Sequence, residues 1–405
     1  MGPIAKSTLS TSLVLGLRFF IQAGTLLLVA RMLGPNQFAA FAGVAALAVL
    51  LGAFSTFGTH LVLLTEVSKD KTQRQQVLRY AVPTTLITGS LLFFVYIVVC
   101  ILFFENVILP LSVIFCIGLT ETILLPIFLL PAIEELALEK TARSQLLMIF
   151  PLALRILAVA LVIFLAVKQP LVTFAWLYLI SAVLALLCMK LYKPNAWLSL
   201  NQWQLANQQE LKHSAGYATL ALTAAGPSEL DKMLAVKLLP LGMSGLYIAA
   251  SRVIGAATLP VTALLLSALP RLFRGHTKSQ SKRLNYWILG SVLIYGIVLA
   301  GILWLIAPWV EWLFGHKYLD MAEMLQWLCW VIPALALRIS LANILMTMDK
   351  PWLRAGIEVL GILTLVIGAI IFYPLFGVVG MVLALALSEW GMVVAGCFSV
   401  FKRYL

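Results

Sequence analysis

About a dozen apolar runs follow one another along the chain, each long enough to cross a bilayer and joined to the next by a short hydrophilic stretch. Crossing ~30 Å of hydrocarbon takes about 20 helical residues. Because lipid offers the backbone no hydrogen bonds, only helices and closed barrels survive there. The runs lie at roughly 9–30, 38–64, 79–103, 111–132, 146–167, 171–190, 213–236, 244–270, 286–307, 322–346, 355–373 and 378–400. Composition agrees: 62% of residues are hydrophobic, 11% are charged and the mean hydropathy is +1.03, a profile that excludes a soluble domain. The expectation is an all-α polytopic membrane protein of about 12 transmembrane helices.

The net charge of +12 invites a nucleic-acid reading, but the positions of the charges exclude it. Lys69, Lys71, Arg74, Arg79, Lys140, Arg143, Lys190, Lys193, Lys212, Arg271, Arg274, Lys278, Lys282, Arg283, Lys350 and Arg354 fall in one set of loops, with Lys6, Lys402 and Arg403 at the ends. The opposite set holds Arg31, Lys168, Lys237 and Lys317. Such asymmetry sets orientation and predicts that both termini are cytoplasmic. Cys100, Cys116, Cys188, Cys329 and Cys397 are scattered singly in apolar segments, so they are expected as small core or lipid-facing residues. The first run is too long for a signal peptide and lacks a cleavage site, so it is expected to be retained.

The longest hydrophilic stretch, Tyr192 to His213, divides the chain. Arg31-Met-Leu-Gly-Pro-Asn-Gln-Phe-Ala-Ala-Phe41 has a counterpart in Lys237-Leu-Leu-Pro-Leu-Gly-Met-Ser-Gly-Leu-Tyr247 about half a chain later. Each has a base, then Leu, then Gly/Pro turn residues, and each closes on an aromatic. A second echo pairs Glu139-Lys140 with Asp349-Lys350. These echoes predict two six-helix lobes, 1–190 and 213–405, joined by a cytoplasmic linker at 191–212. An even number of spans per lobe puts the relating pseudo-twofold along the membrane normal.

Polar residues at bilayer depth point to function. Thr8, Thr11, Arg18, Gln22 and Thr25 follow helical spacing and form one stripe on an otherwise apolar first run. A bare guanidinium in hydrocarbon costs from ~3 to more than 10 kcal/mol, so this stripe is expected to face an aqueous path. His60 lies beside Thr56 and Thr59 and is expected to be hydrogen-bonded or, less simply, a ligand or proton relay. The seventh run contains Gly226-Pro227, expected to break the helix, followed by Glu229, Asp231 and Lys232. Asp231 and Lys232 suit an ion pair that organises a cavity, while Glu229 or Asp231 alone would suit ion coupling. Arg252 lies one step from a polar stripe of Ser244, Tyr247, Ser251, Thr258 and Thr262. Glu121 with Arg155, and Arg338 with Glu389, are expected as structural intramembrane pairs. Trp304, Trp309, Trp312, Phe314, Tyr318, Trp327 and Trp330 flank one loop and suit an interfacial belt.

Several of these segments resemble polysaccharide flippases of the Wzx type in the multidrug/oligosaccharidyl-lipid/polysaccharide (MOP) exporter superfamily. They are Val29-Ala-Arg-Met-Leu-Gly-Pro-Asn-Gln-Phe38, Asp231-Lys232, Gly245-Leu-Tyr247, Ala249-Ala-Ser-Arg252, Ala268-Leu-Pro-Arg271 and Gly377-Val-Val-Gly380. They run in order over the whole chain; Ala39 departs from the Gly that the family usually carries there. The resemblance implies transfer of undecaprenyl-diphosphate-linked oligosaccharide repeats, such as O-antigen units, across a bacterial inner membrane. It implies a central cavity lined by helices one, two, seven and eight, and a polysaccharide polymerase and chain-length regulator as partners beside membrane lipid. On that footing Arg18 is the leading diphosphate ligand, with Arg252, Gln22, Thr25, His60 and Lys232 lining the cavity.

No phosphate-binding loop, nucleophile triad or metal-ligand cluster is present in the sequence, so no enzyme chemistry, metal or cofactor is expected. A cation-coupled multidrug exporter of the same superfamily shares the architecture but would want acidic residues on the first stripe. A membrane glycosyltransferase or polymerase would want a large outer loop, which the spacing of the runs leaves no room for.

Overall fold

The computed structural model describes residues 3–104, 109–262, 264–265, 278–348 and 350–402, and every described element is helical. The side chains of Thr8 and Thr11, the segment Ala268–Arg271 and Asp349 lie outside the described residues. In chain order the helices are α1 (Pro3–Ser55), α2 (Thr59–Lys69), α3 (Gln73–Phe103), α4 (Leu111–Leu119) and, after a π-helical turn at Thr120–Leu124, α5 (Leu125–Ala137). There follow α6 (Thr141–Phe164), α7 (Pro170–Tyr192), α8 (Gln208–Leu238), α9 (Leu241–Ala257), α10 (Lys278–Phe314), α11 (Met321–Cys329), α12 (Ile332–Thr347), α13 (Pro351–Phe376) and α14 (Val378–Phe401).

Among the described residues nine helices are long and apolar enough to cross a membrane, or ten if α11 and α12, bent by 47°, form one broken span. One of the nine, Gly16–Ser55, has 40 residues. At ~1.5 Å per residue it is about twice the bilayer core. It is interrupted at Gly34, whose φ of 71° and ψ of 169° leave the helical region just before Pro35, so α1 is two crossings joined by a tight turn. The run expected at 213–236 lies in α8, less apolar because it carries Glu229, Asp231 and Lys232. Eleven of the twelve expected runs, and the described part of the eighth, therefore fall in helices. Two are broken within the run: run two at Phe57-Gly58, with φ of 48° and 76°, and run ten between Cys329 and Ile332.

Many apolar faces are left uncovered by protein. Only 17% of the most apolar stretch of α3, and 22% of that of α13, is buried. Leu91, Phe94, Leu102, Leu363 and Ile370 are more than half exposed, which water would not tolerate in a series this long. This is a multi-pass membrane protein.

The helices form two compact units, Met1–Leu33 with Ala40–Ala225, and Gly34–Ala39 with Gly226–Leu405. In the first, α2 packs on α3 and α5, α6 on α5 and α7, and α4 on α7. Its core includes Val62, Leu63, Leu78, Val82 and Leu130. The stretch expected as a linker is well fastened to this unit. Trp197 donates its indole N–H to the Ile127 carbonyl at 2.9 Å, and Trp203 donates to the Trp197 carbonyl at 3.0 Å. Arg74 reaches the Asn195 carbonyl at 2.6 Å, and Ala196 is fully buried. The turn before α3 is closed by Asp70, which accepts from the Thr72 hydroxyl at 2.6 Å and amide at 2.9 Å; these bonds hold its carboxyl below the usual range.

In the second unit α13 and α14 lie along each other, α10 packs on α11 and α12, and α12 packs on α14. Val261, Leu265, Ile288, Val292, Leu341, Ile344 and Val393 form its core. The short segment Gly34–Ala39 belongs here because Gly245 of α9 lies directly against the Pro35 carbonyl, a contact that any β-carbon on Gly245 would prevent. The two halves of the sequence echo, Arg31–Phe41 and Lys237–Tyr247, thus meet in part.

Candidate functional site

Arg18 stands on the first half of α1, half-buried, with Nη1 donating to Gln145 Oε1 of α6 at 2.6 Å. A purely structural role for this residue would call for a carboxylate partner on a neighbouring helix. The partner is instead a neutral amide, and no ion pair to Arg18 occurs among the described residues. Its Nε is buried without a hydrogen-bond partner. Of its stripe, Gln22 is exposed and Thr25 turns its hydroxyl back to the Ile21 carbonyl at 2.7 Å, the local bond that satisfies a threonine inside a helix.

A second polar group forms in the other unit, between α8 and α9. Lys232 approaches Asp231 at 3.2 Å and Glu229 at 3.8 Å, and its ammonium also donates to the Ser228 carbonyl. Ser251 donates to the other oxygen of Asp231 at 3.0 Å, and Arg252 meets Glu229 at 3.5 Å. Glu229, Asp231, Lys232 and Ser251 are buried. Two cations facing two anions make the group neutral: Asp231 and Lys232 form the ion pair their spacing suggests, while Arg252, expected in the cavity, is held by Glu229. Gly226-Pro227, expected as a break, is not one: α8 runs through it. In a membrane helix, neighbouring polar groups and small backbone adjustments can absorb the bond that proline removes. Gly226 instead gives close packing room, since a β-carbon there would meet the Ile362 side chain at 2.5 Å.

The expected intramembrane pairs are brought together. Arg155 Nη2 donates to Glu121 Oε1 at 3.0 Å and its guanidinium lies 3.9 Å from the centre of the Tyr178 ring, while the Tyr178 hydroxyl donates to the same carboxylate. Glu121 sits in the π-helical turn, whose carbonyls at Glu121 and Thr122 are approached closely by Gly52 of α1 and Gly89 of α3. Arg338 Nε meets Glu389 Oε2 at 2.6 Å, with side-chain exposures of 10% and 1%. His60 Nδ1 is 2.5 Å from the Thr56 hydroxyl, the simple hydrogen-bonded reading, next to the break at Gly58. In the aromatic cluster Trp309, Trp312 and Trp330 are exposed, as a belt requires, but Phe314 and Tyr318 are buried against each other at 5.4 Å.

Three polar groups went unforeseen. Gln145 is one. Glu134 and Glu135 form another, buried and gripped by Arg74 at 2.8 Å from Glu134 and by Lys193 at 2.7 and 3.0 Å. The third is Glu358, buried on α13 with Arg354 at 3.0 Å. A doubled acid just before the Glu139-Lys140 turn was a usable signal for the second group; the others had none beyond a lone polar residue. Among the described residues no three His, Cys, Asp or Glu side chains gather as a metal site would require.

The fold these helices define is that of the MOP superfamily transporters. The chain matches the inward-facing conformation of a multidrug resistance MATE family transporter with a TM-score of 0.75 and 13% identity, covering 95% of this chain and 94% of that one. It matches the outward-facing conformation of such a transporter with a TM-score of 0.69 and 15% identity, over 100% and 96% of the two chains. A MOP superfamily transporter from Pyrococcus furiosus, described as having a binding pocket of reversed polarity that suggests a different function, matches with a TM-score of 0.71 and 14% identity over 99% and 96%. At such identities the likeness is one of fold. No family model and no curated protein sequence matches the chain.

Proposed function

We propose that this protein is a transporter that moves undecaprenyl-diphosphate-linked oligosaccharide repeats from the cytoplasmic to the periplasmic leaflet of a bacterial inner membrane, by alternating access and with both termini cytoplasmic. The observation that carries the proposal is the charge of Arg18: a guanidinium at membrane depth held by an amide, with no carboxylate against it among the described residues. Such a group suits an anionic headgroup, and its fork matches two phosphate oxygens. The sequence resemblance to polysaccharide flippases supports the same substrate class. One fold neighbour is described as having a pocket of reversed polarity that suggests a different function, so a like fold can carry pockets of different charge. The inside-negative potential would assist. Expelling about two negative charges gains roughly 4–5 kcal/mol per 100 mV.

The second reading, a cation-coupled multidrug exporter, is favoured by two of the fold neighbours and by the buried Glu229 and Asp231. Their charges are matched by Lys232 and Arg252, which leaves little net attraction for a cationic drug. Deleting the gene in its host separates the two. Loss of surface polymer with lipid-linked repeats accumulating in the inner leaflet, rescued by wild type and not by equally expressed Arg18→Ala, supports flipping. Normal glycan in a strain without a second flippase, together with new drug sensitivity, refutes it.

A further inference from the structure

Every other cation at membrane depth whose partner is described faces a carboxylate: Arg155 faces Glu121, Arg252 faces Glu229, Lys232 faces Asp231 and Arg338 faces Glu389. Arg18 departs from that pattern, although a glutamate at position 145 would fit the same space and bind the guanidinium more strongly. The other two charged residues of α6 are engaged elsewhere, Arg143 near Glu135 at 3.8 Å and Arg155 on Glu121.

We infer that Gln145 is a positioning residue: its amide oxygen fixes the Arg18 guanidinium while leaving the positive charge available to an anionic phosphate oxygen. Gln145 is only 8% exposed, and its bond of 2.6 Å to Nη1 is short for a neutral acceptor. The amide restrains the rotamer but contributes no negative charge. Nε, buried and unpartnered, remains for an incoming acceptor. In lipid an unpartnered N–H is costly, so a second acceptor is favoured there. A carboxylate at 145 would satisfy Arg18 better and cancel the charge that attracts an anion.

This inference rests on the proposed anionic substrate, and its test separates the two ideas. Wild type, Gln145→Glu, Gln145→Met and Arg18→Ala are placed in nanodiscs. Binding of undecaprenyl diphosphate is measured against undecaprenol, its uncharged counterpart, and thermal unfolding is recorded beside it. The expected result is that Gln145→Glu unfolds at or above the wild-type temperature yet loses affinity for the diphosphate by about tenfold or more, the factor that a hydrogen bond to a charged group is worth. A residue with only a packing role would give the opposite, since the new Arg–Glu pair preserves the contact. Gln145→Met, which keeps the charge free but not fixed, is expected to lie between wild type and Arg18→Ala. Wild-type affinity in Gln145→Glu overturns the inference, and so does wild-type affinity in Gln145→Met should the glutamate variant fail to fold. If wild type itself does not prefer the diphosphate to undecaprenol, the proposed substrate and this inference fall together.

Discussion

Removing Glu121 should expose how the first unit is held together. The carboxylate accepts from Arg155 at 3.0 Å and from Tyr178, and the two ion-pair side chains are 10% and 13% exposed. Glu121→Ala leaves a buried guanidinium with only the Tyr178 ring for company, 3.9 Å away. The ring returns about 1–2 kcal/mol at a dry site, whereas an uncompensated buried charge costs ~3–5 kcal/mol. The net loss should therefore be about 1–4 kcal/mol, and Arg155→Met should cost a similar amount for the mirror-image reason. The double variant Glu121→Gln with Arg155→Met buries no charge and keeps an acceptor for the Tyr178 hydroxyl. It should be more stable than either single change. Reversible unfolding in mixed micelles of wild type, Glu121→Gln, Arg155→Met and the double variant closes a double-mutant cycle. A coupling energy of about 2 kcal/mol or more is expected. A value below ~0.5 kcal/mol, the level at which independent sites simply add, would refute the reasoning.

Other perturbations follow from the same physics. Gly245→Val places a branched side chain on the Pro35 carbonyl, and overpacking of this kind costs ~1–3 kcal/mol or more; a sharp fall in monodisperse protein by fluorescence-detected gel filtration is expected, and unchanged yield would contradict the contact. Trp197→Ala removes the indole that ties the connecting stretch to Ile127, so protease cleavage within 194–207 should accelerate several-fold while the helices stay protected. Pro227→Ala should leave membrane abundance and unfolding temperature nearly unchanged, within about 1 kcal/mol, because α8 is already continuous there; loss of helix or of folding would show that proline shapes the helix after all.

The spans were legible because hydrocarbon imposes one requirement on every crossing segment, a long apolar run, and the chain meets it twelve times. The turn at Gly34-Pro35 was legible for a related reason, since two residues hostile to helix interrupt an otherwise unbroken run. Glu121 with Arg155 and Arg338 with Glu389 were legible because a lone charge in lipid demands an opposite one. The same rule failed for Arg18, whose partner is neutral and lies at the edge of the fifth run, where a glutamine attracts no notice. Gly226-Pro227 misled because proline weighs more heavily in a water-exposed helix than in one packed among other helices. The bend between α11 and α12 and the π-helical turn at Thr120–Leu124 are each followed by a proline, Pro333 and Pro126, a signal too common in membrane helices to single them out.

Gly34–Ala39 is grouped with one unit while the chain on both sides of it is grouped with the other. A gene cut within 191–212 would therefore give a C-terminal fragment lacking six residues of its own unit, with the close-packed surface of Gly245 left bare. Chimaeras that join the first half of one relative to the second half of another should fail unless this hexapeptide travels with the second half. The two halves of such a protein are then not free to be exchanged by recombination as separate modules, however clearly the sequence divides into two.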